Sequence, residues 1–246
     1  MDRLIYTAMT GAKHAFLQQA GVAHNLANAS TVGYRAMEHK FRAVPIQGDG
    51  APTRAFTVDA SVANVFDQGP LMATGRALDV AVQGAGWLAV ELPDGREAYT
   101  RAGSLQVNTN GLLQTSSGLN VLGDGGPIAI PPDNSITISP DGTVSAVPLS
   151  GTPNNVNVVG RIKLVNPPED QLARGDDGLF RLSGGTQADV DEAVKLAPST
   201  LEGSNVDPVD SMISMISLAR QFETQIKMLQ TADANANKAS QILSMN

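Results

Sequence analysis

The last stretch of the chain, residues 204–246, reads SNVDPVDSMISMISLARQFETQIKMLQTADANANKASQILSMN and constrains what the rest can fold into. Met215, Phe222, Leu229, Ala236 and Leu243 stand seven apart, and Met212, Ala219 and Ile226 fall between them at offsets of four and three. Such a seam is the pattern of one helix laid along another. The start is signalled too: Asp207 can cap the helix, Pro208 suits its first position, and Asp210 puts negative charge near the positive end of the dipole. Glu223 and Lys227 sit four apart in the favourable order on the outer face. About 40 residues rising roughly 1.5 Å each make a rod of roughly 60 Å, longer than a domain of this size, so the helix needs a partner. The second track runs on through Asp233 and Ser240, and Asn235 and Asn237 interrupt the apolar surface. The last turns are therefore expected to depend on neighbours, other copies of the chain among them. A long surface helix packed on its own domain is the competing reading.

Residues 2–28 predict a second helix, in which Leu4, Ala8, Gly11, Ala15, Gln18, Val22 and Asn25 recur in steps of four and three. This seam is made of small residues. Ala8, Gly11 and Ala15 let a helix approach closely but bury too little apolar area to hold a hairpin alone. Two seams at opposite ends predict an α+β fold, with terminal helices pairing as a coiled coil and a mainly antiparallel β domain inserted between them. The expected boundaries are 1–30 and 204–246 for a discontinuous helical assembly domain, 31–75 for an extended linker with short strands, and 76–203 for a β-rich domain. Asn25-Leu26-Ala27-Asn28 and Ser30-Thr31-Val32-Gly33-Tyr34-Arg35 stop the first helix. Asn28 suits a helix end, Ser30 and Thr31 favour side-chain-to-backbone bonds, and Gly33 permits a positive φ. Tyr34 and Arg35 then begin an extended stretch.

In 36–75, Phe41, Val44, Ile46, Phe56, Val58 and Val62 are spaced like short strands, which predicts a linker carrying a hairpin. From Leu78 to about Leu182 short alternating runs follow one another, with Asp94-Gly95, Asn110-Gly111, Ser117-Gly118 and Asp141-Gly142 as turns. Strands at that spacing build an antiparallel sandwich or irregular barrel. Residues 183–204 read as a polar return path to the final helix.

A chain with no cysteine has neither a disulfide framework nor a thiolate metal site. No apolar run is long enough to span a bilayer, so no membrane insertion is expected. The start lacks a charged-then-apolar leader with a cleavage site. The net charge of −7 is uneven: residues 1–42 carry five basic and two acidic side chains, 43–202 nine and eighteen, and the last 44 residues three and four. A basic segment meeting an acidic one could bring copies of the chain together in register. Basic residues this few, without interleaved aromatics, exclude nucleic acid as the expected partner.

The sequence holds no pattern that specifies a catalytic or ligand site. His14 and His24 are ten apart, too far for paired ligands on one helix, and His39 stands alone, so no metal is expected. Gly84-Ala85-Gly86 echoes a dinucleotide loop, but Trp87 opens a strand rather than a helix, which makes it a tight hairpin turn. Asp176-Asp177-Gly178 lacks the spacing of a calcium loop. Asp79, Glu91 and Glu97 could in principle form a hydrolase pair, but nothing selects one pair, and no serine lies in a Gly-x-Ser-x-Gly elbow. No catalytic residue, cofactor or small-molecule substrate is expected.

Three segments together resemble one family. MDRLIYTAMTGA with NLANASTVGYR is similar to the N-terminal signature of bacterial flagellar rod and hook proteins. LDVAVQGAGWLAV with AYTRAGSLQVNTNGLL and VLGDGGPIAIP resembles their shared β domain. LEGSNVDPVDSMISMISLARQFETQIKMLQTADANANKASQIL resembles their C-terminal signature. The resemblance covers nearly the whole chain in the family's order, and the opening and modest length look most like its proximal-rod branch, with the distal-rod branch similar throughout. His24 stands where the family usually has Asn, and Val32 where Pro or Asn is frequent. By position, the resemblance implies that Asn25, Leu26, Asn28, Thr31, Gly33, Tyr34 and Arg35 shape the helix-to-linker corner. Ser204, Asn205, Arg220, Phe222 and Glu223 shape the C-terminal helix and its subunit contacts. It implies a structural, non-enzymatic subunit, exported unprocessed by the flagellar type III apparatus and polymerised in the periplasm with its own copies and other rod proteins. There it would transmit torque from rotor to hook, and its terminal helices would order on assembly. Two other classes fit the bare pattern: a trimeric coiled-coil fibre with a glycan-binding β head, and a wall-directed hydrolase.

Overall fold

The computed structural model describes residues 2–45, 55–148 and 156–244 and divides into two units. One combines Met1–Ala29, Ala36–Val65 and Val206–Asn246; the other combines Ser30–Arg35 with Phe66–Asn205. The stretch expected as an extended linker is thus shared, 36–65 going with the helices and the remainder with the strands. The chain is α+β, with a helix near each end and antiparallel sheets between them.

The first unit holds α1 (Asp2–Ala27), the hairpin of β1 (Met37–Pro45) and β2 (Ala55–Asn64), and α2 (Pro208–Ser244). α2 begins as its sequence signals: Asp207 Oδ1 accepts the backbone N–H groups of Val209 at 2.7 Å and Asp210 at 3.2 Å, and Pro208 takes the first position. The helices pack antiparallel, since Gly11 faces Gln225 while Val22 and Asn25 share a groove with Ile213 and Leu218. Among the described residues of α1, Ala8, Ala12 and Ala15 are buried. On α2 the residues withdrawn from solvent include Met215, Leu218, Phe222, Gln225, Leu229, Ala232 and Ala236, in steps of three and four.

Met215, Phe222 and Leu229 lie where the heptad reading put them, but the other inner track runs one residue earlier than Met212, Ala219 and Ile226. Met212 is exposed, and Ala219 and Ile226 are half-buried beside the seam. The shift removes the break expected at Asp233: Ala232 takes the inner place and is buried, while Asp233, Asn235 and Asn237 are exposed. The side chains of Leu4, Phe56, Val58 and Leu243, and all of Ile46, lie outside the described residues. The hairpin packs on another face of α1. His14 meets Phe41 edge-on at 5.2 Å, and His39 stacks on Phe41 at 6.2 Å and lies over Gly21. A Cβ on Gly21 would come within 2.8 Å of the His39 ring, so the close approach depends on the glycine.

The second unit is built of short strands. In chain order they are β3 (Leu71–Ala73), β4 (Val80–Gln83), β5 (Trp87–Glu91), β6 (Glu97–Thr100), β7 (Leu105–Val107) and β8 (Leu113–Thr115). Then come β9 (Asn120–Gly123), β10 (Gly126–Pro127), β11 (Asn134–Ile138), β12 (Thr143–Pro148) and β13 (Asn157–Arg161). The series closes with β14 (Leu164–Val165), β15 (Leu172–Arg174), β16 (Phe180–Leu182), β17 (Lys195–Pro198) and β18 (Thr200–Glu202). The largest sheet runs β15-β16-β6-β5-β9-β8-β7, with β10 on β9 and β14 on β5. Beside it stand β11-β12-β13 and the pairs β17-β4 and β18-β3. The Asx-Gly and Ser-Gly turns join β5 to β6, β7 to β8, β8 to β9 and β11 to β12, as their dipeptides predict.

Gly84-Ala85-Gly86 does not make a hairpin, contrary to expectation. β4 pairs with β17 while β5 pairs with β6, β9 and β14, so the turn passes between sheets, with Gly86 against Val194. Nor is 183–204 only a polar return. It supplies β17 and β18, and Val194 and Leu196 enter the main core with Val80, Val82, Leu88, Leu105 and Leu113. The alternation Val194-Lys195-Leu196 is too short to stand out in a periodicity reading. Burial of each such side chain stabilises by about 1.5–3 kcal/mol, which an alanine seam cannot match.

Candidate functional site

Two chain segments meet where the β unit begins and ends, 30–35 and 202–205. Gly33 N–H donates to the Glu202 carbonyl at 2.8 Å, and Asn205 N–H donates to the Tyr34 carbonyl at 3.3 Å. Gly33 has φ +68°, and a Cβ there would lie 2.3 Å from the carbonyl carbon of Arg101. Only glycine takes this turn at this distance. Tyr34 N–H closes the turn on the Thr31 carbonyl at 3.3 Å, and Asn205 Nδ2 donates to the Asp67 carbonyl at 3.0 Å. Ser204 is buried in the same corner, whereas Thr31 is exposed.

Beneath this crossing lies a buried ionic cluster. Glu202, fully buried at the end of β18, pairs through Oε1 with Arg35 Nη2 at 2.6 Å and through Oε2 with Arg101 Nη1 at 3.0 Å. Gly69 N–H also donates to Oε1 at 3.1 Å, and Arg101 Nη2 donates to the Gly84 carbonyl at 2.7 Å. Two guanidinium groups against one carboxylate leave a positive excess. The indole of Trp87 takes part of it, with Arg101 at 5.2 Å and Arg35 at 6.0 Å from the ring centroid. Burial pushes the Arg101 guanidinium below its ordinary pKa, Glu202 opposing that fall and Arg35 adding to it. Among the described residues Arg35 Nε and Nη1 have no hydrogen-bond partner, so the ion pair and the ring are what hold that charge.

A second arginine–aromatic stack adjoins it. Arg174 on β15 lies 4.6 Å over the Tyr34 ring and 5.8 Å from that of Phe180, and its Nη1 donates to the Arg35 carbonyl at 2.7 Å. Trp87 packs on Phe180 at 4.6 Å and edge-on to Phe66 at 6.0 Å. Burial raises the Tyr34 hydroxyl pKa, against the lowering influence of Arg174. Tyr34 and Arg35, expected to begin an extended stretch and to shape the helix-to-linker corner, are inserted into the β unit.

Of the other candidate residues, Asn25 does the most specific work. Its Nδ2 donates to the Met37 carbonyl at 2.8 Å and its Oδ1 accepts the Met37 N–H at 3.0 Å, a strand-like pair of bonds that ties α1 to the start of β1. Asn28 N–H donates to the Asn25 carbonyl at 3.0 Å and its Nδ2 to the His24 carbonyl at 2.9 Å, so it serves the helix end as expected. Leu26 is half-buried, and Arg220 and Glu223 are exposed on α2. Arg101, Trp87 and Glu202 escaped the sequence reading of the site. The usable signal was an arginine directly after one strand and a glutamate closing another.

The suspected carboxylates are engaged elsewhere. Asp79 pairs with Arg76 at 3.3 Å and accepts the Thr74 hydroxyl at 2.7 Å. Glu91 and Glu97 stand opposite each other on β5 and β6, but Lys163 Nζ binds Glu97 at 2.7 Å and Asn120 donates to Glu91 at 3.0 Å. Each of the pair is neutralised or hydrogen-bonded on its own side, an arrangement that relieves like charges across a strand pair.

The chain matches three family models. One described as flagella basal body rod protein covers residues 5–35, one described as flagellar hook protein FlgE/F/G D1 domain covers 81–146, and one described as flagellar basal body rod FlgEFG protein C-terminal covers 197–242. Arg35, Arg101 and Glu202 each fall in a different one of these segments. The flagellar basal-body rod protein FlgF of Escherichia coli is 46% identical over the full length of both chains. FlgF of Caulobacter vibrioides is 32% identical, again over both in full. FlgG of Agrobacterium fabrum is 32% identical over 98% of this chain and 99% of its own.

Proposed function

The chain belongs to the family of flagellar basal-body rod proteins, and we propose that it enters the rod by polymerising through its terminal helices. It is a structural subunit of the basal-body rod. The full-length identity to the E. coli rod protein carries this reading, and a place in the proximal rod fits it. The partners are other rod proteins and further copies of this chain. α1 and α2 would pair as a coiled coil, with Leu4, Ala8, Gly11, Ala15, Val22, Met212, Met215, Ala219, Phe222, Ile226 and Leu229 in helix contacts within and between copies. The buried Glu202 cluster would keep the entering and leaving segments of the β unit together as torque passes from rotor to hook. Export through the type III apparatus without a cleaved leader, and assembly in the periplasm, complete the proposal. No residue is asked to turn over a substrate.

Deleting the chain tests the reading. Cells lacking it are expected to stop swimming and to yield basal bodies that end below the hook, with both restored by the wild-type chain. Normal hooks in the deletion strain would overturn it.

A further inference from the structure

α1 carries a second heptad seam that is exposed among the described residues. Tyr6, Met9, Lys13, Phe16, Ala20 and Ala23 follow one another in steps of three and four, and all are exposed. Tyr6 is 55%, Met9 53% and Phe16 60% open to solvent, although each is large and apolar. A stripe of that width on a helix marks a contact face.

A recess of about 610 Å³ lies nearer the other end of the antiparallel helix pair, with Val22 of α1, Met37 of β1, and Ile213 and Leu218 of α2 among its walls. Val209, Met212 and Ile216 extend its apolar surface outward along α2, all of them exposed. Gly11, midway along the stripe, is level with Gln225, so the recess lies roughly ten residues and about 15 Å farther along α2. A chain therefore cannot seat its own stripe in its own recess. The charges agree with a match between copies: Lys13 sits within the stripe, while Glu38 lines the recess and Asp210 is exposed near Ile213.

We propose that the Tyr6–Met9–Phe16 stripe of one copy seats in the Val22–Ile213–Leu218 recess of the next, a contact that rests on the rod reading above. Stripe and recess are different surfaces, so the contact is heterologous. It displaces successive copies along the helices and repeats without closing into a two-fold dimer.

The test places p-benzoylphenylalanine at position 16, which keeps an aromatic knob, and illuminates purified basal bodies. The expected product joins two copies of this chain, with the link in peptides that contain Val22, Met37 or residues 213–218. A link from α1 to α1, a link to another protein, or none from rods that contain the variant overturns the proposal. A second route uses the absence of native cysteine: Phe16→Cys with Ile213→Cys should give a disulfide ladder that neither single variant gives. A ladder from one cysteine alone, or none from the pair in motile cells, is equally fatal. If the unsubstituted chain is missing from basal bodies, the rod reading itself fails, and the two failures are told apart.

Discussion

Glu202 stands between the buried guanidinium groups of Arg35 and Arg101, so removing its charge leaves two cations in an apolar setting. Breaking a buried pair in this way costs about 3–5 kcal/mol. Glu202→Gln should lower the denaturation midpoint of the β unit accordingly, and the chain's single tryptophan, Trp87, reports it from beside the cluster. An unchanged midpoint would mean that the cluster adds nothing to the fold. Tyr99 gives a pH signature. Burial raises its pKa to about 12, Ala188 N–H donation opposes the rise, and Glu97 adds to it. The unfolded value is about 10, so this stabilisation is complete below about pH 10 and is lost as pH rises toward 12. Thermal melts should fall across that window, and Tyr99→Phe should flatten the fall. Parallel curves for the two proteins would refute the assignment. The corner was half legible in the sequence: Gly33 announced a positive φ, but nothing local in Tyr34-Arg35 says that they insert beside Trp87, because their partners lie 52 and more residues away.

At the scale of elements, the helices and the β unit differ in what holds them. The strands bury Leu88, Leu105, Leu113 and Leu196 completely, while α1 offers Ala8, Ala12 and Ala15 to its partner. A monomer in solution should therefore exchange the amides of α1 and α2 well before those of β5 and β6, with protection of the helices rising on assembly. Equal protection in the monomer would contradict this. Phe222→Asp puts a charge on the inner face of α2 and should block assembly while the β unit stays folded; motile cells carrying it would show that the seam is not used. The heptad rhythm of α2 and the cap at Asp207 were plain in the sequence. The register of the inner track was not, because Leu218 and Ala219 both fit an apolar repeat, and the choice between them falls to the alanine and glycine surface of α1.

At the scale of the whole molecule, a chain with helices near both ends and a β unit completed by residues 30–35 must bring distant segments together before it is finished. In the assembly proposed above, the helices would serve neighbours while the β unit is closed by its own buried charges. The measurement that bears most directly on this account is quantitative mass spectrometry of purified basal bodies. The chain is expected there in a few copies, retained through harsh extraction and less abundant than a distal-rod protein. Many copies would move it to the distal rod, and complete absence from intact basal bodies would contradict the account.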